Sequence, residues 1–140
     1  STLSLWVYPK SITGSAQFQI VVKGGWGEGF HWWGDAPHNL FYRYGNKDVF
    51  TSGDIGIKLN EWNHIAVVRN GNSFKTYVNG VLKSDKTATP VNEGNSGDLV
   101  LGWGTISNKE DHGGFIGVLD ELVIYNRALS PEEIQAHADI

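Results

Sequence analysis

Apolar and polar positions alternate with a period of two along most of this chain, in short runs broken by Gly, Asn, Asp and Pro. Such a pattern predicts strands and tight turns rather than helices. "LSLWVYP" (3–9) alternates around Leu3, Leu5 and Val7 and stops at Pro9, where a ladder loses a donor. "AQFQIVVKGG" (16–25) predicts a second strand closing on a Gly pair. "GFHWWG" (29–34) and "HNLFYRYGN" (38–46) predict two aromatic strands joined as a hairpin through Gly34, Asp35, Ala36 and Pro37, whereas "DVFTSGDIGI" (48–57) reads as irregular. Residues 61–84 are the clearest stretch. They predict a strand through Val68, a turn at Asn70-Gly71-Asn72, a strand through Val78, and a second turn at Asn79-Gly80 into a third short strand. Asn-Gly between alternating runs signals a hairpin because Gly accepts positive φ and Asn tolerates it. Further strands are expected in 97–104 and 113–126. Only 130–138 predicts a helix, with Ser130 as N-cap, Pro131 at the first position and Glu133 completing a capping box.

Eight or more short strands with regular turns predict an all-β fold, an antiparallel two-sheet β-sandwich of the jelly-roll kind with a short C-terminal helical turn. A length of 140 residues suits one domain and one core. We therefore read 1–140 as a single domain, and its abrupt start inside "STLSLWVYPK" as the cut edge of a larger multidomain protein. Composition narrows the function classes. With no Cys there is no disulfide, thiolate metal site or thiol nucleophile. A net charge of −4 without a basic stripe argues against nucleic acid and anionic membrane, and no apolar run reaches the ~20 residues of a membrane helix.

Residues 24–46 hold three of the six tryptophans among Gly, His, Asn and Asp, too polar a setting for a plain core strand. Alternation puts Phe30 and Trp32 on one face with His31 and Trp33 on the other, and sets Leu40, Tyr42 and Tyr44 against Phe41 and Arg43. One face is then core, and the other mixes aromatic rings with His or Arg. The C–H face of a pyranose lies flat on an indole or phenol while its hydroxyls bond polar groups at the rim. Trp26, between Gly25 and Gly27, and Trp103, in "GWG", are expected at loop tips. The expected ligand-binding set is Trp26, His31, Trp33, Tyr42, Arg43, Tyr44 and Trp103, with a polysaccharide or oligosaccharide as partner. Catalysis finds less support. The acidic residues do not form the facing pair a glycosidase needs, no GxSxG elbow occurs, and a lyase would have to draw on His31, His38, Tyr42, Arg43 and Tyr44.

In the 61–84 meander, Trp62, His64 and Ala66 share one face and Ile65 and Val67 the other, which predicts a central strand. Trp62 is expected in the core and His64 as a buried, hydrogen-bonded histidine. Asp120 and Glu121 interrupt an apolar strand, where charge requires a partner. Either a salt bridge to Arg127 or Arg69 or a structural calcium ion would serve, since calcium selects carboxylate and carbonyl oxygens.

"LSLWVYP", "EWNHIAVVRNGNSFKTYVNG", "LVLGWG" and "FIGVLDELVIYNRALSPEEI" together resemble, in order and spacing, the concanavalin A-like laminin G domains of bacterial proteins, over nearly the whole chain. The resemblance implies two curved antiparallel sheets and an accessory module beside glycoside hydrolases, polysaccharide lyases or adhesins. It also implies a calcium site near Asp120 and one more strand, carrying Asp-Gly, ahead of "LSLWVYP". The expected function is a non-catalytic, monomeric carbohydrate-binding module, tethered to a catalytic domain of a secreted or cell-surface bacterial protein. A protein-interaction or adhesion module is the alternative from another class, and a ligand-free assembly domain a third.

Overall fold

The structure, a computed structural model, describes residues 1–11, 18–24, 28–35, 39–51, 57–91, 97–102 and 115–140. Along the chain come β1 (Thr2–Ser11), β2 (Phe18–Lys23), β3 (Phe30–Asp35), β4 (Asn39–Tyr44), β5 (Lys47–Thr51), β6 (Asn63–Asn70), β7 (Ser73–Val78), β8 (Val81–Thr87), β9 (Leu99–Leu101), β10 (Ile116–Tyr125) and α1 (Pro131–Ala138). The strands make two antiparallel five-stranded sheets, β10-β1-β6-β7-β8 and β5-β4-β3-β2-β9. The sandwich expected from the alternating pattern is thus present.

Period-two alternation sorts side chains between a shared core and the outside of each sheet. Leu3, Leu5 and Val7 of β1, Ile65 and Val67 of β6, and Phe74 and Val78 of β7 join Trp32, Leu40, Tyr42 and Phe50 of the second sheet in one buried cluster. β6 is the middle strand of its sheet, as its double-sided apolar pattern predicts. Its outward residues Ala66 and Val68 form a smaller cluster with Tyr77, Leu129 and Ile134, so the short helix covers this end of the outer face.

The helix is fastened by local chemistry. Thr2 Oγ1 donates to the Arg127 carbonyl and accepts from the Leu129 N–H, both at 2.9 Å. Ser130 Oγ accepts from the Glu133 N–H at 3.2 Å, and Glu133 Oε2 accepts from the Ser130 N–H at 2.8 Å, which completes the expected capping box. At the second hairpin Asn79 and Gly80 both take positive φ, 50° and 79°, as a two-residue turn between paired Val78 and Val81 requires.

Two expectations need correction. Residues 47–51 form a strand where the pattern reads as irregular, because a bulge against β4 lets consecutive Val49 and Phe50 both enter the core and breaks the alternation. Trp62 is not core but 44% exposed. It precedes β6 and lies outside the cluster of Ala66, Val68, Tyr77, Leu129 and Ile134 that α1 covers.

Candidate functional site

The outer face of the β5-β4-β3-β2-β9 sheet carries His31, Trp33 and Arg43 of the expected set, while Tyr42 and Tyr44 face the core. Pairing sets Trp33 opposite Phe41 and His31 opposite Arg43, so these four share a face as predicted. Trp33 and Phe41 stack at 4.0 Å with planes 12° apart, which spends part of each ring on the other. Arg43 is half-buried, pairs with Asp48 and donates to the Asn46 carbonyl at 3.2 Å. His31 is fully buried, its Nε2 at 3.3 Å from the Glu28 carbonyl. Tyr42 is buried against Trp32, and burial pushes its phenol well above the ordinary range. Tyr44 is half-buried, packed on Phe74 and capped by the Arg69 guanidinium at 4.5 Å. Neither His31 nor Tyr42 therefore lies at a surface a ligand would meet. Trp26, Trp103 and His38 lie outside the described residues.

The other sheet assembles an aromatic, acidic cleft that the sequence distributes over three distant segments. With β10, β1 and β6 side by side, their outward residues align in rows. Trp6 sits between Asp120 on β10 and His64 on β6. One row further along, Tyr8 lies opposite Val118, and its ring meets that of Trp62 edge-on at 5.5 Å. Trp6, Trp62, Asp120, Glu121 and Ile140 line an open cleft of about 200 Å³. A hollow of about 150 Å³ adjoins it, shares Trp6, Glu121 and Ile140, and reaches His64 and His137.

Two local features position this lining. Consecutive strand residues normally face opposite ways, yet Asp120 and Glu121 both line the cleft. A bulge explains it: on β10, Glu121 and Leu122 together oppose only Leu5 between the pairs Ser4–Val123 and Trp6–Asp120, and Glu121 adopts φ 50°. Asp120 Oδ1 accepts from the Glu121 N–H at 2.8 Å and stabilises the turn in the backbone. On the opposite wall, Asn63 pins the segment that carries Trp62. Its Oδ1 accepts from the Lys58 N–H at 3.1 Å, and its Nδ2 donates to the Lys58 and Glu61 carbonyls at 3.0 Å. The Asn60 N–H donates to the Pro9 carbonyl at 2.7 Å. Trp62 is thus presented from a fixed loop, so little ordering would be required on contact.

The two carboxylates have no ion-pair partner among the described residues. Arg127 is engaged bidentately by Glu133 at 2.6 and 2.9 Å, and Arg69 lies over Tyr44 and Phe74. Calcium takes six to eight oxygens, so a site at Asp120 and Glu121 would need backbone carbonyls and waters beside the two carboxylates. Among the described residues no group of three or more His, Cys, Asp or Glu could hold a metal. His64 is buried as expected, but its Nδ1 has no hydrogen-bond partner among the described residues; its ring instead meets Trp6 edge-on at 5.2 Å.

Burial, with the His137 charge beside it, lowers the His64 imidazole from 6.5 to about 4. The folded state then favours neutral His64, while the unfolded chain protonates near 6.5, so acid favours unfolding. This contribution is intact above pH 6.5 and is lost progressively as the pH falls from 6.5 to about 4. Glu133, which Arg127 and the Ser130 N–H hold down to about 2, adds its own loss only below its ordinary 4.5. Urea titrations at a series of pH values should show the unfolding midpoint falling already between pH 6.5 and 5. A flat midpoint over that interval would contradict the buried neutral assignment.

A family described as the concanavalin A-like lectin/glucanases superfamily, laminin G type, matches residues 1–135. No curated protein sequence matches the chain. Among solved structures, domain 4 of AbnA, an extracellular arabinanase from Geobacillus stearothermophilus, in complex with arabinotriose, is similar with 28% identity and a TM-score of 0.62 over 98% of this chain and 65% of that one. The CBM40 of the Ruminococcus gnavus IT-sialidase, bound to α2,3-sialyllactose, is 18% identical with a TM-score of 0.75 over 98% and 81%. A mutant Trypanosoma rangeli sialidase is 18% identical with a TM-score of 0.70 over 96% of this chain and 22% of that one. The chain thus spans about a fifth of that sialidase and just under two thirds of the AbnA domain structure.

Proposed function

Because the chain belongs to the concanavalin A-like lectin/glucanases superfamily, we propose that it is a non-catalytic carbohydrate-binding module of an extracellular protein and that the cleft between Trp62 and Asp120 is its sugar site. The observation that carries this reading is the convergence, in one open cleft, of an exposed indole with two carboxylates that have no ion-pair partner among the described residues. A sugar needs an apolar ring to lie on and acceptors for its hydroxyls, and the cleft supplies both. Its volume of about 200 Å³ is below the roughly 300–1,000 Å³ of pockets that enclose a drug-sized ligand, which suits a chain held by one face of a sugar unit. The 28% identity to an arabinanase domain holding arabinotriose supports a polysaccharide ligand, and it agrees with attachment to a glycoside hydrolase. A secreted or surface location follows from that role, and no helix among the described residues is long and apolar enough to cross a membrane.

The Trp33–Arg43 face offers a second place for sugar contact. The test therefore addresses both faces. Affinity electrophoresis of the chain through gels containing a panel of neutral and acidic polysaccharides should show retardation by at least one, with chelator lanes reporting whether calcium contributes. Migration unchanged in every gel would overturn the carbohydrate reading.

One observation favours a protein-interaction module instead. β10 is an edge strand whose Ile116, Val118, Val123 and Ile124 are exposed, and an apolar ten-residue edge is a template for pairing. That reading expects concentration-dependent self-association in sedimentation, which a monomeric sugar module does not show.

A further inference from the structure

Resting on the carbohydrate reading, we infer that the cleft on the β10-β1-β6 face takes an uncharged glycan and rejects chains bearing uronic or sialic acid carboxylates. The charged groups around the cleft decide this. Asp120 and Glu121 line it, both exposed and neither in an ion pair, and no Lys or Arg lines it or its adjoining hollow among the described residues. Arg127, the cation the sequence offered as a partner, is engaged by Glu133.

An ionised carboxylate is acceptor only. It takes hydrogen bonds from neutral sugar hydroxyls but offers nothing to the carboxylate of a uronate or sialate, which would arrive as a like charge with no donor to meet it. The inner hollow holds two imidazoles, His64 and His137, and at a pH where imidazole is ordinarily neutral they leave this balance to the two carboxylates. His64 also brings a buried ring nitrogen, Nδ1, without a hydrogen-bond partner among the described residues, a further polar atom on the inner side of the cleft. Steric and apolar selection comes from Trp62 and Trp6, and charge selection from Asp120 and Glu121.

The double substitution Asp120→Asn with Glu121→Gln separates the two. The side-chain amide oxygen then at position 120 can still accept from the N–H of residue 121, so the bulge is retained, and both side chains are exposed, so the fold is not at stake. Affinity electrophoresis at about pH 8, where imidazole is ordinarily neutral, would compare wild type, the double amide and Trp62→Ala through arabinan, xylan, polygalacturonate and alginate. Neutral chains should retard the wild type equally at low and high salt, and the double amide should bind them about tenfold more weakly. Retardation by an acidic chain that Trp62→Ala abolishes would overturn the inference while leaving the sugar site in place. Unchanged neutral binding by the double amide would also overturn it. Retardation by no chain at all would instead remove the reading on which it rests.

Discussion

Trp62→Ala is expected to weaken glycan binding roughly thirtyfold while the chain stays folded. A central exposed aromatic whose truncation costs about 2 kcal/mol behaves as a binding hot spot, and 2 kcal/mol corresponds to that factor. The indole is 44% exposed, so it gives little to the core and much to a ligand. What holds its loop is backbone and Asn63 chemistry that alanine leaves untouched. The loss confined to the protein is the edge contact with Tyr8, worth about 0.5–1.5 kcal/mol. Titration of retardation against glycan concentration measures the first effect and a urea midpoint the second. Trp62→Phe, which keeps a ring in place, should recover a large part of the affinity. Trp33→Ala is the decisive companion, because that ring belongs to the opposite sheet and stacks on Phe41. If it abolishes binding and Trp62→Ala does not, the platform lies on the other face.

The fold was legible because its rules are local. Alternation, Asn-Gly turns and a capping box each act over a few residues, and all of them appear in the structure as read. Strand 47–51 escaped because a bulge suspends alternation, and a bulge has no residue signature of its own. The cleft was illegible for a related reason. Asp120 and Glu121 stood out as charges in an apolar strand, yet only the bulge at Glu121 turns both toward Trp6, and only strand order brings 6, 62 and 120 together. Trp62 escapes the core because β6 begins only at Asn63, so the residue sits on the loop before the strand, where the helix-covered cluster of Ala66, Val68, Leu129 and Ile134 does not extend. In 24–46, by contrast, the assignment of faces was sound, but face does not determine exposure: His31 points outward with Trp33 and is fully buried nonetheless.

The same aromatic stretch is therefore partly a core element, and Trp32 is where this has its largest consequence. Trp32 has no exposed surface and packs against Tyr42 at 5.1 Å and Phe50 at 6.2 Å, in the cluster that joins the two sheets through Leu5, Ile65 and Phe74. Alanine there would leave a void that rigid flanking strands cannot fill, since β3 is paired on both sides, with β2 and β4. A buried Trp→Ala change costs about 3–5 kcal/mol, against a total stability of about 5–15 kcal/mol for a domain. The lost indole also removes a buried Nε1 without a partner among the described residues, which recovers a little and places the expected loss toward the lower end of that range. Trp32→Ala should accordingly lower the melting temperature by about 10–20 °C. Where the variant remains folded, its glycan binding should match the wild type, because the cleft is on the far sheet. Calorimetry and affinity electrophoresis on the same preparation read both. A melting temperature within a few degrees of wild type would mean that the tryptophan is not the keystone of the core, and Trp32 would then have to be reassigned to the surface.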